Sequence, residues 1–201
     1  MDSANPNDIL FAIPTIADDL PPLEPVTPDD GAGQLMFHED DWAQLEFFPI
    51  EMLGQLRYMM KEYAKFEKQH RVGDYWGKIY IRKIERQPVL GEEIVLAHLA
   101  EVVERPAGPA PILHTSSAIV GRVANGFSIP LGGDITLYGY QDETGIPVLG
   151  ALVDAEPDDR ILIDTFTTLH ETFDVILVDW SGQTILEGVD EATGELRVWQ
   201  P

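Results

Sequence analysis

Met52, Leu56, Met59, Tyr63 and Phe66 recur at spacings of four, three, four and three, which lays one apolar stripe along a helix over about 50–70. Pro49 suits the opening of that helix, where its missing N–H costs nothing, and Glu51 complements the positive end of the dipole. Elsewhere the period is two. LMFHEDDWAQLEFF (35–48) reads as a short β unit with an acidic turn at Glu39–Asp41 and alternation at Trp42, Gln44, Glu46 and Phe48. YWGKIYIRKI (75–84) alternates apolar with basic residues and reads as a strand with Ile79, Ile81 or their neighbours inward.

Segment 91–104 mixes helix formers such as Ala97 and Ala100 with Ile94, Val95, Val102 and Val103; the balance favours a second helix. The proline-rich stretch 104–111 is a loop. Ile112–Val123, Ile135–Gly139, Val148–Val153 and Ile161–Phe166 read as strands punctuated by glycine. Residues 174–200 form the clearest β signal, a three-stranded meander whose two short connections carry Gly182 and Gly194. Hairpin-linked strands with segregated helices predict an α+β fold built on a largely antiparallel sheet.

Residues 1–33 stand apart. They hold six prolines and seven acids and end in Gly-Ala-Gly, so they bury too little surface to order alone. The expectation is a partly disordered arm that packs through Ile9, Leu10, Phe11, Ile13 and Ile16, with a flexible link at 24–33. Residues 34–201 then make one α+β domain.

Charge changes the picture most. Residues 1–56 carry 12 acids and no base, 57–87 carry 4 acids and 9 bases, and 88–201 carry 19 acids and 4 bases, within a net charge of −22. Net charge speaks to association rather than to fold. It excludes a generic nucleic-acid binder and argues against adsorption to anionic lipid. A basic protein is the natural complement. Arg57, Lys61, Lys65 and Lys68 form a like-charged stripe on the helix, which is unfavourable unless acids lie nearby. The basic island is expected to pair with the acidic arm or the Glu39–Asp41 turn.

Candidate chemistry is sparse. There is no cysteine, and the start of the chain lacks a signal peptide's basic region, which together fit a cytoplasmic protein. GRVANG (121–126) and LGGD (131–134) match no complete phosphate-binding loop and read as turns. His38-Glu39-Asp40-Asp41 groups four potential ligands, but successive strand residues point to opposite faces and do not converge on one ion. No cofactor and no metal are expected. A hydrolase would require His114 or His170 to meet a serine or carboxylates in one cleft.

LMFHEDDWAQLEFFP (35–49) resembles the opening of small immunity proteins of bacterial polymorphic and type VI secretion toxin systems, and VDWSGQTILEGVD with RVWQP (178–201) is similar. That resemblance implies a non-enzymatic protein that neutralises a cognate toxin, many of which are nucleases with basic clefts. The partner-binding candidates are Glu39, Asp40, Asp41 and Trp42, then Asp158 and Asp159, with Trp42 equally readable as core. An acidic adaptor, a secretion chaperone or a DNA-mimic inhibitor is the alternative, and a hydrolase the third reading.

Overall fold

In the computed structural model the described residues are 9–26, 34–92, 94–154, 157–190 and 192–201. Residues 9–26 form a strap carrying β1 (Thr15–Ala17) and β2 (Leu23–Glu24). β3 (Met36–His38), a 3-10 turn at Glu39–Asp41 and β4 (Leu45–Pro49) follow, and a second 3-10 turn at Ile50–Met52 leads into α1 (Leu53–His70). β5 (Arg71–Val72), β6 (Tyr75–Trp76), β7 (Tyr80–Arg82) and β8 (Leu90–Gly91) precede α2 (Leu96–Val102). Next come β9 (Ile112–His114), β10 (Ile119–Val123), β11 (Gly126–Gly132), β12 (Ile135–Asp142) and β13 (Gly145–Val153). α3 (Asp159–Phe173) and the meander β14 (Val175–Asp179), β15 (Thr184–Val189) and β16 (Leu196–Trp199) come last.

The fold is α+β. Its main sheet runs β11-β12-β13-β4-β14-β15-β16, antiparallel throughout, and β8 pairs onto β13. One face carries Phe48, Ile176, Val178 and Ile185 against Leu56, Met60 and Tyr63 of α1. Burying such side chains contributes about 2 kcal/mol each. The other face carries Phe47, Leu149, Val175 and Leu177 against α2 and α3 through Leu99, Phe166 and Leu169. A second sheet, β2-β10-β9-β3, covers β12 and β13 and encloses Phe37, Trp42, Leu113, Tyr138 and Val148.

Several expectations change. Ile161–Phe166 is helix, not strand. Leu162, Phe166, Leu169 and Phe173 recur at helical spacing once the window extends past residue 166, and Asp158 caps the first turn by accepting from the Arg160 N–H at 3.1 Å. The 35–48 unit is not one hairpin, because β3 joins the second sheet and β4 the main one. The 75–84 strand is two short pieces, and its inward residue is Arg82, at 1% exposure, while Ile81 is 49% exposed. The inward stripe of α1 runs through Met60 and Glu67 as well as Leu56 and Tyr63, leaving Met59 and Phe66 half-buried. The second helix is shorter than 91–104, since Gly91 belongs to β8. Of the flexible link expected at 24–33, residues 27–33 lie outside the described residues, as do residues 1–8 of the arm, and Glu24 is in β2.

The basic island finds counter-charges in both the arm and the core. Lys83 pairs with Asp18 at 4.0 Å and Arg86 with Asp19 at 2.5 Å, and outside the island Arg122 pairs with Glu24 at 3.0 Å, so the strap is tied down by its own acids. Arg86 also meets the wholly buried Glu46. The helix stripe is relieved differently: Arg57 makes two bonds of 2.6 Å to Glu187, Lys65 pairs with Glu62, and Lys61 lies 5.8 Å from the Trp199 ring centre. Asp40 of the acidic turn lies 3.3 Å from the His38 ring.

Candidate functional site

The main sheet splits at one end. β4 pairs with β14 along its whole length but meets β13 only at Gly150, opposite Glu46. The split begins where the chain turns out of the sheet at Ala43, which holds a left-handed φ of 57°. A non-glycine residue adopts that conformation only when its surroundings over-determine it. They do so here: the Ala43 N–H donates to the Tyr138 hydroxyl at 2.8 Å, and the Ala43 carbonyl accepts from Arg82 at 2.9 Å. Gly150 completes the corner, because a Cβ there would sit 2.6 Å from the Tyr138 ring.

The split leaves a cleft of about 830 Å³. Leu45, Leu177 and Leu186 form its floor, Leu162 at the start of α3 closes one wall, and Phe37 with His38 stands in the other. Four carboxylates ring it: Asp41, Asp154, Asp159 and Asp179. Each comes from the end of an element, so the carboxylates reach solvent while the apolar positions beneath them stay in the sheet. Asp41 is exposed at the surface, yet the protein around it raises its carboxyl above the ordinary 3.8 by partial burial, with His38 pulling the other way. An anionic rim over an apolar floor suits a basic, partly apolar segment and repels phosphate.

The cleft brings together only part of the expected set. Asp41 and Asp159 line it. Glu39 and Asp40 lie on the adjoining 3-10 turn, and Asp158 is engaged as the cap of α3. Trp42 is core: it is 1% exposed, lies parallel to the Phe37 ring with centres 6.3 Å apart, and is tilted against the Tyr138 ring at 5.1 Å. Asp154 and Asp179 escaped the sequence reading, although a signal existed. The tripeptide Leu-Val-Asp occurs twice, at 152–154 and 177–179, each time an apolar run closed by an acid.

Two histidines also reach the cleft. His38 and His114 are paired neighbours on β3 and β9, and their rings meet edge to face at 5.6 Å. His38 Nε2 lies 3.4 Å from Ser116 Oγ and His38 Nδ1 lies 3.3 Å from Asp40, the order of a serine nucleophile with its base and orienting acid. The hydrogen bonds run the other way. The Asp40 N–H donates to Nδ1 at 3.2 Å, so the neutral ring carries its proton on Nε2 and donates it towards Ser116. A ring in that tautomer cannot take the serine proton. His170 is elsewhere, on α3, bonded to the Val175 carbonyl at 2.8 Å.

Among the described residues, no group of three His, Asp or Glu could hold a metal ion, and no helix is long and apolar enough to cross a membrane. GRVANG and LGGD run largely in strands, and only residues 124–125 and 133–134 are turns, with Asn125, Gly133 and Asp134 at positive φ. In comparisons with known proteins, no family model, no curated protein and no solved structure matches this chain.

Proposed function

We propose that this chain is a non-catalytic immunity-type inhibitor, which captures a basic toxin domain of the nuclease kind at the aspartate-ringed cleft. The observation that carries the reading is the cleft itself, in which four carboxylates surround a leucine floor at a split in the sheet. A nuclease binds phosphate with cations, and an inhibitor that covers such a site must present anions in their place. The apolar floor supplies the desolvated contact that rim charges alone do not, because exposed ion pairs are worth only about 0–1 kcal/mol each. The negative field of the whole molecule adds to the encounter rate.

The test is protection of bacterial growth. The chain is expressed together with the toxin encoded by the neighbouring reading frame, and survival is scored against the empty vector. The wild-type chain should protect, and Asp41→Asn/Asp159→Asn, at equal soluble expression, should protect less. Failure of the wild type to protect, or full protection by the double variant, would falsify the proposal.

A further inference from the structure

The split gives β13 an edge with nothing beside it. Val153 pairs with Ile135, Leu152 with Thr136 and Ala151 with Leu137, all on the β12 side. On the other side β4 reaches β13 only at Gly150, and β8 reaches it only at Gly145 and Ile146. The Gly150–Glu46 pairing brings Leu45 of β4 alongside Ala151, and among the described residues no strand flanks Leu152 or Val153 towards the cleft. The orientation of the backbone follows from one bond. The Asp154 N–H donates to the Asp134 carbonyl at 2.8 Å, so residue 154 turns its polar groups towards β12. Alternation along an antiparallel strand then turns the N–H and C=O of Val153 the opposite way, into the cleft. Val153 is 38% exposed.

From this geometry we infer that the cleft receives its partner as an added β-strand: an extended segment bearing lysine or arginine between apolar residues lies beside Leu152–Val153. It occupies the place β4 would fill if the chain did not turn away at Ala43. The inference rests on the reading of the cleft as the partner surface and adds how the partner is held. Charge complementarity decides the occupant. Side chains of an added strand alternate between the two faces of the sheet. One set meets Leu45 and Leu177, and cationic ends reach Asp41, Asp159 and Asp179 around the slot. An acidic segment would be repelled by the same carboxylates. A helix could not use the free N–H and C=O of Val153, because its own backbone groups are already paired. The slot offers about 7 Å of edge, enough for two residues in extended form. Short edges of this kind do not recruit other copies of a chain at −22 net charge.

The test uses the whole chain and a short acetylated peptide of alternating lysine and valine. Two further peptides carry N-methyl groups on alternate residues, one on each edge of the extended backbone. The parent peptide should bind, and the Val153 amide should exchange its hydrogen more slowly in the complex. Methylation of one edge should weaken binding by at least about tenfold, and methylation of the other should leave it nearly unchanged, because one edge only faces β13. Equal affinities for the two methylated peptides, or an unaltered Val153 exchange rate, overturn strand addition. No binding of the parent peptide overturns it too. The growth-protection assay keeps the two ideas separable, since aspartate-dependent protection with edge-independent peptide binding discards only the mode of binding.

Discussion

Arg82 Nη2 donates to the Ala43 carbonyl at 2.9 Å, and with its bond to Thr15 this joins the strap to the corner of the cleft through one buried side chain. The same guanidinium bonds Thr15 Oγ1 at 3.1 Å and Gln44 Oε1 at 3.2 Å, and lies 5.2 Å from the Trp180 ring centre. Burial lowers its pKa to about 10, against the pull of Glu46 in the other direction, so Arg82 stays charged at neutral pH. The cleft therefore owes its shape to a residue that never touches it.

Arg82→Met keeps an apolar stem of similar reach and removes every donor. The Ala43 carbonyl, the Thr15 hydroxyl and the Gln44 amide oxygen lose a partner in a site that water barely reaches. The expected loss is about 3 kcal/mol, read as a lower midpoint in urea denaturation with the slope unchanged. Limited proteolysis should cut the strap near Thr15 sooner than in the wild type. A variant as stable as the parent would mean that Arg82 is not the clasp.

Tyr138→Phe probes the same corner from the other side. It leaves the ring packed on Phe37 and Trp42 but strips the acceptor from the buried Ala43 N–H. An unsatisfied buried donor costs about 1–3 kcal/mol, which should appear as a lower thermal midpoint. Because the positive φ at Ala43 loses one of its two restraints, Ala43→Gly in the same background should recover part of that loss. No recovery would show that the corner is held by packing alone.

How much of this was legible beforehand follows from what each pattern depends on. The helix at 50–70 and the closing meander depend on local periodicity and turn residues, and both are present as the spacing predicts. Ile161–Phe166 was misread because its Ile-Leu-Ile start is β-like in isolation; the deciding partners, Leu169 and Phe173, come later in the chain. Arg82 was read as one basic position in an alternating strand, and nothing local distinguishes it from Lys83. Its burial is set by Ala43, Thr15 and Trp180, remote partners that only the topology brings together. The cleft was half legible for the same reason. Acids can be counted in a sequence, but a gap between β13 and β4 arises between strands far apart in the chain that only the topology makes neighbours.

Glu46 carries a pH signature. It is wholly buried, and burial raises its carboxyl above the ordinary 4.5 even though Arg86 opposes the shift. A carboxyl raised in the fold keeps its proton where the unfolded chain has lost it. Its contribution is therefore fully present below 4.5 and declines as pH climbs through the raised value. Glu46→Gln removes that decline while Asp19 still holds Arg86. Glutamine matches the protonated carboxyl, so the two thermal midpoints should lie closest in acid, and the wild type should fall below the variant as pH climbs. A wild-type midpoint that stays level with the variant's, or gains on it as pH rises, would mean that Glu46 ionises in the fold as readily as in the unfolded chain.

The cleft makes its own prediction about salt and acid. Asp41 and Asp159 face solvent, so they should act mainly on encounter with a cationic probe rather than on the final lock. Against the lysine–valine peptide, Asp41→Asn/Asp159→Asn should lower the association rate several-fold at low salt. The difference should shrink as ionic strength rises and the screening length falls to about 8 Å. Acid acts in the same direction. The Asp41 carboxyl is raised by burial, so it takes up a proton sooner on acidification than a free aspartate, and each proton gained removes an anion from the rim. His38, Asp40 and His114 surround it. Wild-type affinity should therefore fall as pH drops towards the carboxylate range, and fall less steeply in Asp41→Asn. Stopped-flow association across salt and pH measures both effects. Rates that are indifferent to salt in the wild type would place the binding energy in the leucine floor and leave the aspartates without a role in capture.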